Sequence, residues 1–344
     1  MRKPTGVLVC LVLLLAVVIP NAGAQNLTDL GTDMSTLLSG IGESVLPNMQ
    51  QNLLAGQGIG AATMGASKFY VGLEGGVTFG SPGLLAVLTQ SPTPFKLIDA
   101  SGLIGNLSSS STLNNYLQTA ENLSYFPYPD GKLLVGVQPL HGLEIIGTFW
   151  IVPQAVTNLL TRAIGQGASG IELNTLSASV RVRKTLLEDK GGFPAISIGA
   201  GYGYARFHTA YGLPTQTQPF STYTLTYGGQ ITIDSTLNTA GVDLSVSKRL
   251  LIFTPYLQVS PWYEWASFTG TIPNFASNVT LTPTPSSGYV PPAQPNATIT
   301  INDLSILLSG GVEINLGGFS LVPAGSFDLA TKNLSANIAS RVQF

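Results

Sequence analysis

The chain is poor in cysteine, in histidine and in charge. Its one cysteine, Cys10, lies within the first 24 residues. Beyond it there are no thiols, which excludes an extracellular scaffold stapled by disulfides. The two histidines, His141 and His208, have no paired spacing, so no metal site is expected and no cofactor is implied. Charged residues make up 9% of the 344, with 15 Lys+Arg against 17 Asp+Glu. An ordinary soluble domain carries roughly 25%. With no basic stripe to meet phosphates, nucleic acid is not expected as a partner. Beyond residue 24 no apolar run approaches the roughly 20 residues of a membrane-spanning helix.

What is present points to export. Arg2 and Lys3 precede an apolar core from Val7 to Ile19, Pro20 breaks it, and Ala22-Gly23-Ala24 offers a small-x-small cleavage site. Residues 1–24 therefore read as a signal peptide. Val9 stands before Cys10 where a lipoprotein site needs a small residue, so no lipid anchor is expected. Loss of Arg2 and Lys3 leaves 13 of the 15 basic residues against all 17 acidic ones, a formal charge of −4.

From about residue 68 the chain alternates with period two, the spacing of half-buried strands. In 222–234, Tyr223, Leu225, Tyr227, Ile231 and Ile233 share one face, opposite threonines, Gln230 and Asp234. In 304–316, Leu304, Ile306, Leu308, Val312, Ile314 and Leu316 share a face, with Leu307 the exception on the other. A soluble β-sandwich would cover its polar face with Lys and Glu. Here that face is mostly Ser, Thr, Gly, Asn and Gln, which suits a confined lumen, and the apolar face suits lipid.

Strands are expected at 68–80, 131–139, 142–150, 171–185, 193–208, 222–248, 252–269, 297–316, 319–330 and 332–344. The even number fits a closed antiparallel up-and-down barrel occupying 67–344. Short connections then fall at one end, and the long loops 81–130, 151–170, 209–221 and 270–296 at the other. Phe79, Phe149, Tyr204, Trp265 and Phe268 gather at the outer ends, and Phe69, Phe193, Phe253, Phe319 and Phe344 at the inner ends, as two interfacial girdles would. Between Asp234 and Val242 the alternation changes parity, which implies either a β-bulge or a hidden strand pair. A further pair within 81–130 would also make twelve strands.

Ahead of the barrel, 25–66 contains a helical pattern, with Leu37, Leu38, Ile41, Val45 and Met49 near helical spacing. Pro47 is expected to divide it into two short helices. This segment reads as a plug inserted from the periplasmic side, or as an extension beneath the barrel mouth. Val156 to Ile164 is a second amphipathic piece, placed in an outer loop. Gly199, Gly201 and Gly203 form the small face of a strand, making room in a narrow barrel or beside a plug.

The charged residues that alternate inward are the candidate lumen lining: Lys132, Glu144, Arg181, Arg183, Asp243, Glu264, Glu313 and Arg341. Buried charge must pair or meet water, so they form either a network that closes the lumen or a polar constriction in a permeation path. His141 reads as a solvated turn residue. His208 would need a partner such as Asp234 or a serine to be catalytic, and no spacing in the sequence brings one to it. No catalytic residue and no enzyme activity are expected.

The last strand places Phe344, Val342, Ile338, Ala336 and Leu334 on one face and ends on an aromatic. It resembles the C-terminal signal strand of Gram-negative outer-membrane β-barrels. That resemblance implies an all-β transmembrane fold in the outer membrane. It also implies lipid and the barrel-assembly machinery as partners, with Phe344 as the assembly signal. The helical segment before the first strand and the helical outer loop resemble the FadL-like transporters, in which a hatch plugs the lumen and a hydrophobic substrate enters from outside. The stretch Leu133 to Leu143, with Pro47-Asn48-Met49 ahead of the barrel, is similar to an uncharacterised family of bacterial barrels. No hatch motif matches residue by residue, and ten to twelve strands are fewer than the transporter class has. The functional expectation is a barrel that passes or binds a small solute, an apolar one among the candidates. The alternative is a closed anchor whose outer loops mediate adhesion or partner binding.

Overall fold

The computed structural model describes residues 28–54, 61–63, 67–80, 126–152, 172–219, 224–282 and 292–344. A helix, α1 (Thr28–Leu54), precedes strands β1 (Phe69–Gly80), β2 (Phe126–Leu140), β3 (Leu143–Val152), β4 (Glu172–Leu187), β5 (Ala195–Pro219), β6 (Thr224–Ser247) and β7 (Phe253–Thr271). A one-turn helix, α2 (Phe275–Asn278), and the short strand β8 (Thr280–Thr282) lead to β9 (Asn296–Asn315), β10 (Phe319–Asp328) and β11 (Leu334–Gln343). Each strand pairs antiparallel with its neighbours, β1 closes on β11, and β5 pairs β6, so ten strands form a closed barrel with β8 added to β6. Closure removes every edge, as a membrane-spanning sheet requires.

All ten expected strands are present. β5 runs on to Pro219 and pairs with β6 up to Thr224, so most of the expected loop 209–221 is strand. The loop 270–296 holds α2 and β8. The β10–β11 turn spans 329–333, closed by Asp328 N–H donating to Asn333 O at 3.0 Å. Val156–Ile164 and most of 81–130 lie outside the described residues.

The parity change in β6 is neither a bulge nor a hidden pair. The β6–β7 register is unbroken from Thr232↔Thr271 to Ser247↔Tyr256. The environment inverts instead. Below Asn238 the strand presents Val242, Leu244 and Val246 outward, with Asp243, Ser245 and Ser247 buried inward. Above it, Thr232, Asp234 and Thr236 face out, and Ile231, Ile233 and Leu237 are buried inside. Neighbouring strands switch in the same register row. Asn238 pairs with Tyr204 on β5 and Trp265 on β7, and Trp265 pairs with Asn302 on β9. Above this ring the outer wall is Arg206, His208, Ser267, Thr269, Thr298 and Thr300.

The lower pattern is that of a wall in an apolar surround, and the upper that of a wall in water. On β7 the outward apolar residues run from Phe253 to Trp265, which at about 3.3 Å per residue and a tilt of about 45° is roughly 30 Å of height. That matches a bilayer's hydrocarbon core. Tyr202, Tyr263 and Trp265 cluster at its upper edge, with Tyr202 donating to Asn238 Oδ1 at 2.7 Å. Phe69, Phe193, Phe253, Phe319 and Phe344 are exposed at the lower edge. Phe268 departs from the expected girdle: it lies above the switch, points inward and is fully buried.

The barrel interior is filled by α1. At 27 residues it is about 40 Å long, and it runs alongside β1, β4, β5, β6, β7 and β9. Leu30, Met34, Leu37, Leu38, Ile41 and Val45 are buried against the inverted, apolar upper wall. Each such burial contributes about 1.5–3 kcal/mol before unfolded-state corrections. The helix is continuous through Pro47, contrary to the expected division. The lost hydrogen bond would cost about 3 kcal/mol in an isolated helix, but here the surrounding wall holds both halves in line. The helix also descends from the outer end, with its N-terminal turn beside Ala293 and its C-terminal turn beside Gly203, rather than rising from below.

Candidate functional site

The lower lumen gathers the charge that the sequence spreads over seven strands. All eight expected lining residues point inward and are buried. Arg183 lies opposite Glu144 in the β3–β4 register and donates Nε to Glu144 Oε2 at 2.8 Å, with a second bond through Nη2. Arg181 places Nε 3.3 Å from Asp243 Oδ2 and stacks 5.3 Å above the Trp262 ring. Arg341 donates to Glu313 Oε2 at 3.2 Å and stands 5.0 Å over Tyr70. Lys132 lies 2.7 Å from Asp130 and 3.9 Å from Glu74, and also reaches the Asn52 carbonyl of α1. Glu264 accepts a hydrogen bond from Gln50 of α1.

Glycine makes this packing possible. Arg181, Gly201, Gly241 and Trp262 form one register row across β4, β5, β6 and β7. With no side chains on the two central strands, the guanidinium meets the indole across them. A Cβ on Gly199 would strike Asp243 at 2.4 Å, and one on Gly203 would sit 3.1 Å from Leu53 of α1. The small face of β5 thus makes room both for the ionic layer and for the helix, as its spacing implies.

The helix ends on top of this layer and is held there by amide side chains. Gln51 donates to Ser326 Oγ at 3.0 Å and Asn52 pairs with Thr78. Asn333, at the β10–β11 turn, donates to the Pro47 carbonyl at 3.1 Å. Further down, Ala61 N–H donates to Glu313 Oε2 at 2.7 Å and Ala62 N–H to Ser247 Oγ at 2.8 Å. Sequence reading missed Glu74, Asp130, Gln50, Gln51 and Asn52. Parity along β1 would have found Glu74. Nothing local marks the three helix amides as wall-facing, because their partners lie far along the chain.

At the inner rim, His141 hydrogen-bonds Glu188, which also pairs with Lys190 at 2.6 Å. These contacts hold the Glu188 carboxyl below its usual range, the Lys190 hydrogen bond most strongly and His141 next. Asp189 accepts Lys248 Nζ at 2.6 Å and the Arg249 N–H at 2.5 Å, tying the β4–β5 turn to the β6–β7 turn. The Lys248 hydrogen bond is the main reason its carboxyl is also held low.

The sequence places no partner near His208, yet the β5–β6 register sets it opposite Asp234, with Nδ1 and Oδ1 2.8 Å apart. The pair sits on the outer wall above the aromatic ring, facing away from the lumen.

No protein-family model matches the chain, and no curated protein matches it. Among solved structures, the outer-membrane protease OmpT from Escherichia coli aligns over 84% of this chain and 100% of its own, at 9% identity and a TM-score of 0.40. The translocator domain of the autotransporter NalP from Neisseria meningitidis aligns over 90% and 99%, at 8% identity and a TM-score of 0.40. A Pseudomonas aeruginosa FadL homologue aligns over 80% and 90%, at 8% identity and a TM-score of 0.26. These neighbours are bacterial outer-membrane β-barrels, and this chain has that fold: a closed antiparallel barrel with an apolar outer band and aromatics at both edges. The likeness to the FadL homologue is weak. His208 does meet a carboxylate, against the expectation that nothing brings it a partner, so the expectation that this chain is not an enzyme does not stand; a protease is among the aligned structures. Among the described residues nothing else points to an enzyme activity.

Proposed function

We propose that this protein is a plugged outer-membrane barrel, with α1 as the stopper, that passes or holds a small solute and favours apolar ones. The observation that carries this reading is the two-part seal around α1. Its upper half fills a collar of Ile231, Ile233, Leu237, Phe268 and Ile299, and its lower half is held by a few hydrogen bonds: Gln50 to Glu264, Gln51 to Ser326, Thr78 to Asn52 Oδ1 and Lys132 to the Asn52 carbonyl. Displacing the helix would leave an apolar mouth above a charged floor. Lys132 and Glu264 would then face the path, and Arg181, Arg183, Glu144, Asp243, Glu313 and Arg341 would set the selectivity below them. Outer-membrane lipid is the partner of the outer band, and Phe344 is the signal offered to the barrel-assembly machinery.

Conductance of the refolded mature protein in planar bilayers, with and without residues 25–58, tests this reading. Discrete channels that grow on deletion support it. Silence from both forms, with heat-modifiable mobility confirming a folded barrel, overturns the open pore. One observation favours the second reading, a closed anchor. The arginines beneath the helix each face a carboxylate in a buried layer that would keep the lumen shut without α1. In that case binding to a partner surface would move with changes in loops 81–130 and 270–296.

A further inference from the structure

We infer that this barrel carries its own N-terminal segment through the membrane, so that the N-terminal turn of α1 lies at the cell surface. The order of contacts along α1 is the order of heights along the barrel. Gly31 packs on the Ala293 carbonyl, and Ser35 Oγ accepts the Asn296 N–H at 3.2 Å, both at the outer mouth where β9 begins. Next, Leu38 and Gly42 lie against Gly270, Phe268 and Ile299, above the Tyr204–Asn238–Trp265 row. Below that row come Gln50 on Glu264 and Asn52 on Lys132. Ala61 and Ala62 reach Glu313 and Ser247 near the opposite mouth, and β1 then starts beside Phe344. The descent has no reversal among these contacts, so the segment enters the described structure at the outer end.

An exported chain reaches the barrel from the periplasm, so this placement requires residues 28–54 to cross the membrane. A finished barrel offers no passage from below, because the layer of Arg183–Glu144, Arg181–Asp243 and Arg341–Glu313 occupies the lumen there. The seam between β1 and β11 is where the sheet closes, and closing it around the helix is the route the geometry leaves open. The helix suits such a passage, since Asp29, Asp33 and Glu43 are its only charged residues.

The absence of cysteine after Cys10 makes the test direct. Single-cysteine variants would be treated with a membrane-impermeant maleimide on intact cells. Thr32, on the exposed side of the helix N-terminal end, is the reporter. Thr298, exposed on the outer wall, and Gly192, exposed in the β4–β5 turn, mark the two sides. T32C is expected to label like T298C, while G192C labels only after permeabilisation. T32C behaving like G192C overturns the inference. In parallel, an epitope inserted ahead of Thr28 should bind antibody on intact cells. An epitope present on denaturing blots but hidden on intact cells carrying a heat-modifiable barrel overturns the inference whatever the cysteine shows.

Discussion

At the scale of the residue, the ionic layer shows why buried charge is held in pairs. Arg183 and Glu144 are both buried and joined by two hydrogen bonds. Replacing only Arg183 with Met leaves the carboxylate without its partner in a low-dielectric interior, which costs about 3–5 kcal/mol. R183M should therefore unfold at markedly lower denaturant, and R183M combined with E144L should recover most of the loss. Equal loss in the single and double variants would show that the pair does not hold this layer. Gly203 gives a second residue-scale expectation. A bulky side chain there, as in G203L, must displace both Thr239 and Leu53, because even a Cβ would lie 2.9 Å from the Thr239 hydroxyl and 3.1 Å from Leu53 of α1. Loosening of α1 should appear as faster proteolysis between residues 28 and 54, with the barrel's heat-modifiable mobility unchanged. The glycine spacing is legible in the sequence; the identity of what fills each gap is not, because Asp243, Trp262 and Leu53 come from three distant segments.

At the scale of the element, β6 teaches the most. Its inverted upper half reads from sequence as a break in a strand, yet the β6–β7 register runs unbroken through 232–247 and only the surroundings change there. Tyr227, Ile231 and Ile233 are the apolar face that the alternation identifies, but that face is buried inside the barrel rather than turned outward. Alternation reports that two sides differ, and it cannot say which side is which. The turns add a pH dependence. Asp189 is held below its usual range by Lys248, so its contribution is fully present above about pH 4, the unfolded carboxylate value, and is lost as pH falls through the lower folded value. D189N should remove that acid dependence. Amide exchange in 247–253, which Asp189 ties to the β4–β5 turn, should rise at pH 3 more in the native protein than in D189N, apart from the chemical rate; Glu188, also held low, keeps its own acid dependence within 187–195.

At the scale of the whole molecule, the bilayer should sit between the two aromatic edges. Trp265 faces lipid at the upper edge and Trp262 is 1% exposed inside the wall. In bilayers of lipids brominated near the carbonyls, a variant keeping only Trp265 should be strongly quenched, and one keeping only Trp262 should not. Quenching of both would place the wall differently.

The sequence by itself determined the ten strands to within a few residues at most ends, the outward apolar band of the last strands and the inward set of charges. Each of these follows from periodicity or from residue chemistry within one segment. Only the tertiary structure decided what fills the lumen, which end the helix enters from, that Pro47 interrupts nothing, and that His208 meets Asp234. Those outcomes depend on register between strands and on packing between segments more than 200 residues apart, such as Gln50 on Glu264 and Asn333 on Pro47. No local pattern encodes such pairings, because they exist only once the sheet has closed around the helix.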